Sequence, residues 1–265
     1  MSTKELFNEV AQYYAVYRPG VPMEAVNYLI DRFKLNSMSQ VLDLGCGTGQ
    51  LARSLCKHVA KVICVDSGKE MIRLAQKTIK SIVGCNGKVQ LICKKAEEFS
   101  MPMSSLDLVT ICRAFHWMNH DVVLRKYNST LRPGGGFAIL GDSSLWNGNE
   151  PWQKTAKKTI QHFLGEKRRA GDKYFSVSSE PYDLMLKRYG YVDIDVKEFE
   201  VIRFWNIDSI FGYLYSTSFS SRKMYGDKLQ EFEKMLKSEL GNPDPKNVFK
   251  EKSIFTIQSG RKMLI

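Results

Sequence analysis

Apolar residues recur at helical intervals near the start of the chain, then give way to short apolar runs separated by amphipathic stretches. Ser2 and Glu5 have capping-box spacing, and Leu6, Val10, Tyr13 or Tyr14, and Tyr17 follow at helical intervals. Pro19-Gly20 ends this first predicted helix. Pro22 opens a second, with Val26, Leu29, Ile30 and Phe33 on its inner face. From Gln40 the pattern alternates. Strands are predicted at Val41–Leu44, Lys61–Val65, Val89–Cys93, Leu106–Cys112 and Phe137–Leu140. Helical spacing falls between them: Leu51, Ala52, Leu55, Cys56 and Val59; then Met71, Leu74, Ala75 and Ile79 behind a Ser67/Glu70 capping pair; then Val122 to Leu131, ended by Pro133.

Beyond Gly141 the character changes to polar, basic and aromatic, with Trp146, Trp152, His162, Phe163, Tyr174 and Phe175 before 180. Helical spacing returns at Pro181–Tyr189, Asn206–Tyr215 and Asp227–Leu240, and strands are predicted at Tyr191–Val201 and Ser253–Met263. Short apolar strands alternating with amphipathic helices predict an α/β fold: a doubly wound, seven-stranded, mostly parallel sheet with helices on both faces. The C-terminal half adds strands and a helical, aromatic cap. The expected organisation is one domain, with N-terminal helices over 1–35, a core over 36–141, cap insertions and a sixth strand over 142–252, and a final strand over 253–265.

The 265 residues are 43% hydrophobic and 25% charged, ordinary values for a folded chain. No apolar stretch reaches the roughly 18 residues of a membrane span, and the N-terminus lacks an apolar signal core, so a cytoplasmic protein is expected. Six cysteines are present, none in a C-x-x-C pair; Cys64, Cys93 and Cys112 lie within apolar runs and read as buried strand thiols in a reducing compartment, and neither a zinc site nor a disulfide framework is expected. The unusual quantity is the charge: 39 Lys and Arg against 28 Asp and Glu, or +11. The dense cluster from Lys154 to Lys173 contains Lys157, Lys158, Lys167, Arg168 and Arg169, interrupted by Glu166 and Asp172. It reads as a solvated helix and loop in preference to a polyanion site.

The central motif is Val41-Leu42-Asp43-Leu44-Gly45-Cys46-Gly47-Thr48-Gly49, a strand running into a loop of alternating glycines. A dinucleotide fingerprint wants G-x-G-x-x-G, and Gln50 stands at its third glycine; a P-loop ending is also absent. Asp43 opposes a pyrophosphate and suits an amine-bearing ligand. Asp66, at the end of the second strand, is placed to accept hydrogen bonds from ribose hydroxyls.

These residues resemble the class I S-adenosylmethionine-dependent methyltransferases. Asp-Leu-Gly-Cys-Gly-Thr-Gly at 43–49 is similar to their first motif, Val-Asp-Ser at 65–67 to the second, and Leu-Arg-Pro-Gly-Gly at 131–135 to the entry of their fifth strand. Ala-Phe-His-Trp at 114–117 and Tyr-Arg-Pro at 17–19 resemble the trans-aconitate methyltransferase-like small-molecule group. The resemblance spans about residues 40–140. It implies S-adenosylmethionine as cofactor, S-adenosylhomocysteine as product, and no metal. By position it implies Gly45, Gly47 and Gly49 against the methionine and ribose, Asp43 toward the amine, and Asp66 on the ribose. Ser67 and Met71 would flank the adenine, with Ala96 and Glu97 beside it. Lys95 departs from the family's frequent Asp, so the usual bond to the adenine amino group passes to backbone or another residue. Arg113 and Tyr17 are further candidates at the cofactor.

Methyl transfer from a sulfonium needs alignment and exclusion of water, and a base only where the acceptor must lose a proton. His116, just beyond the fourth strand, is the candidate base; lining the site and packing on Trp117 are its alternatives. Arg18, Arg113 and Arg203 are candidates for a substrate carboxylate. Trp117, Trp146, Trp152, Trp205, Tyr213 and Tyr215 are candidate walls of an acceptor pocket. No Asn/Asp-Pro-Pro-Tyr type of motif follows the fourth strand, and Cys112 follows Ile111 instead of proline. A small-molecule acceptor is expected, with a carboxylic acid as the leading class, in a monomer or homodimer. An RNA or protein methyltransferase using the basic cap, or a non-catalytic cofactor-binding protein, are the alternatives.

Overall fold

In the computed structural model, which describes residues 3–170, 173–175, 180–241 and 248–264, two compact units emerge. One comprises 20–142, 177–199 and 255–265; the other 1–19, 143–176 and 200–254. The Ser2–Glu5 capping pair lies outside the described residues.

The first unit carries the alternating pattern. Helix α2 (Met23–Phe33) precedes β1 (Gln40–Leu44), α3 (Gln50–Leu55), β2 (Lys61–Asp66), α4 (Lys69–Lys80), β3 (Val89–Cys93), β4 (Leu106–Cys112), α5 (His120–Thr130) and β5 (Leu131–Asp142). Strand order in the sheet is β3-β2-β1-β4-β5, followed by β9 (Phe249–Lys262) and β8 (Tyr191–Trp205). The pairs β2–β3, β1–β2, β1–β4 and β4–β5 are parallel, and β5–β9 is antiparallel. The expected sheet is therefore the observed one.

Central strands are apolar on both sides because helices cover both faces. Leu42, Leu44, Val109, Ile111, Phe137 and Tyr127 form one continuous buried cluster with Leu186 and Tyr191. Asn119 caps α5, its side chain accepting from the Val122 amide at 3.1 Å. The predicted Ser67/Glu70 cap of α4 does not form. Gly68 takes the N-cap position, its amide donates to Asp66 Oδ1 at 2.8 Å, and Glu70 pairs with Arg73 instead.

The cysteine reading needs two corrections. Cys56 and Cys85 are joined in a disulfide, with Cα atoms 5.3 Å apart. Cys56 ends α3 and Cys85 follows α4; the two helices pack together, a proximity that spacing along the chain does not encode. Cys93 is exposed because it lies on the edge strand β3.

The second unit is helical and aromatic. It contains α1 (Thr3–Tyr17), α6 (Pro151–Leu164), a small hairpin of β6 (Arg169–Ala170) and β7 (Lys173–Tyr174), α8 (Ile207–Tyr215) and α9 (Leu229–Leu240). The remaining helix, α7 (Tyr182–Arg188), belongs to the first unit. The second unit has its own core of Trp152, Ile160, Trp205, Leu214, Phe219 and Phe232. At its centre the buried Glu251 accepts hydrogen bonds from Trp205 Nε1 at 2.7 Å and Gln153 Nε2 at 3.0 Å, and faces Arg203 at 3.7 Å. Among the described residues no helix is long and apolar enough to cross a membrane.

Candidate functional site

Strand order reverses between β1 and β4, so the loop after β1 lies beside the loop after β4 at the carboxyl end of the sheet. Gly45, Gly47 and Gly49 all have positive φ, at 65°, 54° and 79°. A methyl group on Gly45 would stand 2.4 Å from Ala114 Cβ, so conformation and close approach both require glycine there. The Gly45 amide donates to the Val65 carbonyl at 2.7 Å, fastening the loop to the end of β2.

Asp43 is buried in the sheet opposite Thr110. Its Oδ1 accepts from the Thr110 hydroxyl at 2.9 Å, while Oδ2 is buried with no hydrogen-bond partner among the described residues. Burial, opposed by the Thr110 bond and reinforced by Asp66, pushes this carboxyl up to about 7. Asp66 closes the other side of the loop. Its Oδ2 accepts from the Gly47 amide at 2.9 Å and its Oδ1 from the Gly68 amide. Burial raises its pKa against the pull of those two amides.

The site fits a ligand with a cationic amine near vicinal hydroxyls. The orphaned Asp43 oxygen lacks a donor, which an ammonium supplies. Each carboxylate oxygen of Asp66 has acceptor capacity beyond its one amide bond. A pyrophosphate would meet two carboxylates and is disfavoured.

Other predicted cofactor residues fall in the same unit with distinct contacts. Met71 and Ala96 are buried. Glu97 Oε1 accepts from the Asn119 amide at 2.8 Å, and the Ala96 carbonyl accepts from the Tyr127 hydroxyl at 2.7 Å, so the loop after β3 is fastened to α5. Lys95 pairs with Glu98 on the surface. Ser67 lends its carbonyl to the Cys93 thiol at 3.8 Å. Arg113 has φ of 59° and a nearly buried guanidinium that grips Asp142 in fork geometry at 2.7 and 3.0 Å and reaches Gln50 Oε1 at 3.1 Å. That guanidinium ties the ends of β4 and β5 to α3. His116 is exposed on a short 3-10 turn, 5.1 Å from the Trp117 ring. His120 stacks on Phe115 at 4.2 Å and reaches its carbonyl at 3.1 Å.

Tyr17, Arg18, Trp146, Trp205 and Tyr213 belong to the other unit. The Tyr17 ring lies against Gly212, where an added methyl would come within 2.3 Å of it. Arg18 sits over the Tyr213 and Tyr14 rings at 5.1 and 5.4 Å. Trp146 packs edge-on against Phe219 at 5.5 Å. Arg203 and Trp205 are bound to Glu251.

Thr110 and Asp142 were not singled out by sequence, and Gln50 entered only as the residue at the third glycine position of a dinucleotide fingerprint. Thr110 had a signal: it is the polar residue inside the apolar run Leu106–Cys112, and the β1–β4 register sets it against Asp43.

Comparison with known proteins agrees with this geometry. A family described as a methyltransferase domain matches residues 41–135. An uncharacterized methyltransferase of Schizosaccharomyces pombe is 25% identical over 215 residues, 78% of this chain and 76% of that protein. Residues 41–135 form a methyltransferase domain, and the chain is similar to the class I S-adenosylmethionine-dependent methyltransferases. Among curated methyltransferases, the malonyl-acyl-carrier-protein O-methyltransferase of Priestia megaterium is 31% identical over 150 residues; the match spans 54% of this chain and about half, 52%, of that enzyme. A protein of Anaeromyxobacter dehalogenans described as a type II methyltransferase shares the fold with a TM-score of 0.67 at 20% identity, covering 94% of this chain and 99% of that one. A phosphoethanolamine N-methyltransferase of Haemonchus contortus, solved with phosphomonomethylethanolamine and S-adenosylhomocysteine, superposes with a TM-score of 0.59 at 16% identity, covering 99% of this methyltransferase and 60% of that chain.

Proposed function

We propose that this methyltransferase transfers the S-adenosylmethionine methyl group to a small-molecule carboxylic acid, within the trans-aconitate methyltransferase-like group. The observation that carries the cofactor half is the loop of three left-handed glycines between Asp43 and Asp66, with one Asp43 oxygen left without a donor. In this reading Asp43 takes the ammonium and Asp66 the ribose hydroxyls. The glycine backbone lies along the methionine, and Met71 and Ala96 form the apolar floor for the adenine. S-adenosylmethionine, when bound, supplies a methyl already activated on a sulfonium.

The acceptor half follows from the chemistry at the end of β4. A carboxylate acceptor attacks without losing a proton and needs no base. His116 is exposed, a setting better suited to lining the acceptor than to holding a buried proton. The matched Priestia enzyme is by its name an O-methyltransferase acting on a malonyl group carried by an acyl-carrier protein, which supports oxygen as the methylated atom here.

The deciding experiment incubates the protein with labelled donor and a metabolite extract and identifies labelled products by mass spectrometry. Labelled methyl esters are expected. Labelled macromolecules with no small product would overturn the acceptor assignment, and tight NAD binding by calorimetry would overturn the cofactor assignment.

A further inference from the structure

Thr110 is fully buried near the middle of β4, a hydroxyl inside an otherwise apolar strand segment. The parallel register sets it beside Asp43 of β1, and sets Asp43 beside Cys64 of β2. Register partners on neighbouring strands share a face of the sheet, so Cys64, Asp43 and Thr110 make a polar row across three strands.

A buried hydroxyl needs an acceptor. The two that Thr110 Oγ1 reaches both belong to β1: Asp43 Oδ1 at 2.9 Å and the Leu42 carbonyl at 3.4 Å. The carboxylate oxygen is the nearer and, when ionised, the stronger acceptor. A β-branched side chain has little χ1 freedom, so the β4 backbone aims this hydroxyl. Among the described residues Thr110 is the one side chain that donates to Asp43, since the Cys64 thiol on the other flank is bonded with Cys46. Turning the Asp43 carboxylate would break the Thr110 bond. Oδ2 is thereby held in its buried, partnerless position.

The groups around Asp43 make Thr110 the counterweight to two unfavourable effects. Burial disfavours a negative charge on Asp43, and Asp66 across the glycine loop repels one; the Thr110 bond opposes both. The Cys46 thiol adds no charge, because its bond with Cys64 and its burial push its pKa up.

We propose that Thr110 is a positioning residue for the methyl donor, locking the Asp43 carboxylate with Oδ1 occupied and Oδ2 offered to the donor's ammonium. This role rests on the reading of Asp43 as the ammonium acceptor given above. The same hydroxyl favours the ionised carboxylate, which is the form that attracts an ammonium. Its removal should therefore raise the pH at which cofactor affinity levels off.

The test is calorimetric titration of S-adenosylhomocysteine into the full chain between pH 6 and 9, for wild type, Thr110→Val and Thr110→Ser. Valine keeps the shape of threonine without the donor, and serine keeps the donor. Thr110→Val should bind about tenfold more weakly than wild type at pH 6, and the deficit should shrink to within about twofold by pH 9, where Asp43 is ionised in both proteins. Thr110→Ser should recover the wild-type pH profile. Affinity of Thr110→Val within twofold of wild type at pH 6 overturns the role. So does a deficit of equal size at every pH, which marks lost packing and not a lost bond to a titrating carboxylate, and so does a serine variant that behaves like valine. If the wild type binds no S-adenosylhomocysteine, the cofactor reading itself falls; if it binds and Thr110→Val matches it, the role of Thr110 falls alone.

Discussion

Asp43 is a carboxylate that the unliganded fold holds away from water with one oxygen unsatisfied. Its pKa is raised in the folded state to about 7 from 3.8, so the native protein binds a proton that the unfolded chain has lost. Stability of the unliganded protein should therefore be greatest below about pH 4 as far as this group is concerned, and should decline as pH rises toward 7. A bound ammonium reverses the preference by favouring the ionised form. Affinity for S-adenosylhomocysteine should rise by up to ~10-fold per pH unit below about 7 and level off above it. Asp43→Asn should abolish that slope, because an amide does not titrate. Calorimetry from pH 6 to 8 measures both proteins, and equal slopes would refute the role of Asp43. Asp66 fails differently. Asp66→Ala removes the acceptor for the Gly47 and Gly68 amides along with the proposed ribose contact. The variant should lose at least ~10-fold in cofactor affinity, as expected for losing a charge-assisted hydrogen bond of about 1.5–3 kcal/mol. The same titration reads it.

The elements over residues 40–140 were legible because each level of the sequence points the same way. Strands β1 to β4 begin and end within one residue of their predicted limits, since apolar runs buried on both faces leave little latitude in register. Three features were not legible, each for a tertiary reason. The Cys56–Cys85 disulfide depends on two helices meeting across 29 positions. Glu251 is buried only because Trp205 and Gln153, 46 and 98 positions away, donate to it. Arg168 is half-buried just ahead of the strand Arg169–Ala170, which is too short to show alternation. At this scale the glycine loop is the sharpest test. Gly45→Ala puts a methyl 2.4 Å from Ala114 Cβ at a φ of 65°. It should cost ~1–3 kcal/mol of stability from backbone strain, with further cost from the clash. Cofactor binding should fall as well, because relief requires the loops after β1 and β4 to separate. Thermal melts and S-adenosylhomocysteine titration check this, and a wild-type melting temperature would remove the close-approach argument.

For the whole molecule, the net charge of +11 gave no partner by itself. The structure replaces that number with a distribution: exposed lysines and arginines on the surface, and a few guanidiniums drawn in among carboxylates or aromatic rings. The same partition appears in the cores. The cluster around β1, β4 and β5 shares no residue with the cluster around α6, α8 and α9. Cofactor chemistry was legible because its residues lie in one contiguous stretch of sequence. The helices α1, α8 and α9 were legible too, but their assembly into one unit was not, because it joins three separated segments. Glu251 is the residue on which the second core converges. Glu251→Ala would leave the Trp205 indole and the Gln153 amide without their acceptor and Arg203 without its carboxylate. The expected loss is about 3–5 kcal/mol, the range for breaking a buried charge pair by removing one partner. Because the two cores are disjoint, that loss should appear locally. Amide exchange should accelerate in α6, α8 and α9 while β1, β4 and β5 keep their protection, and S-adenosylhomocysteine should still bind. Exchange that rises equally in all six elements would show that the two units unfold as one.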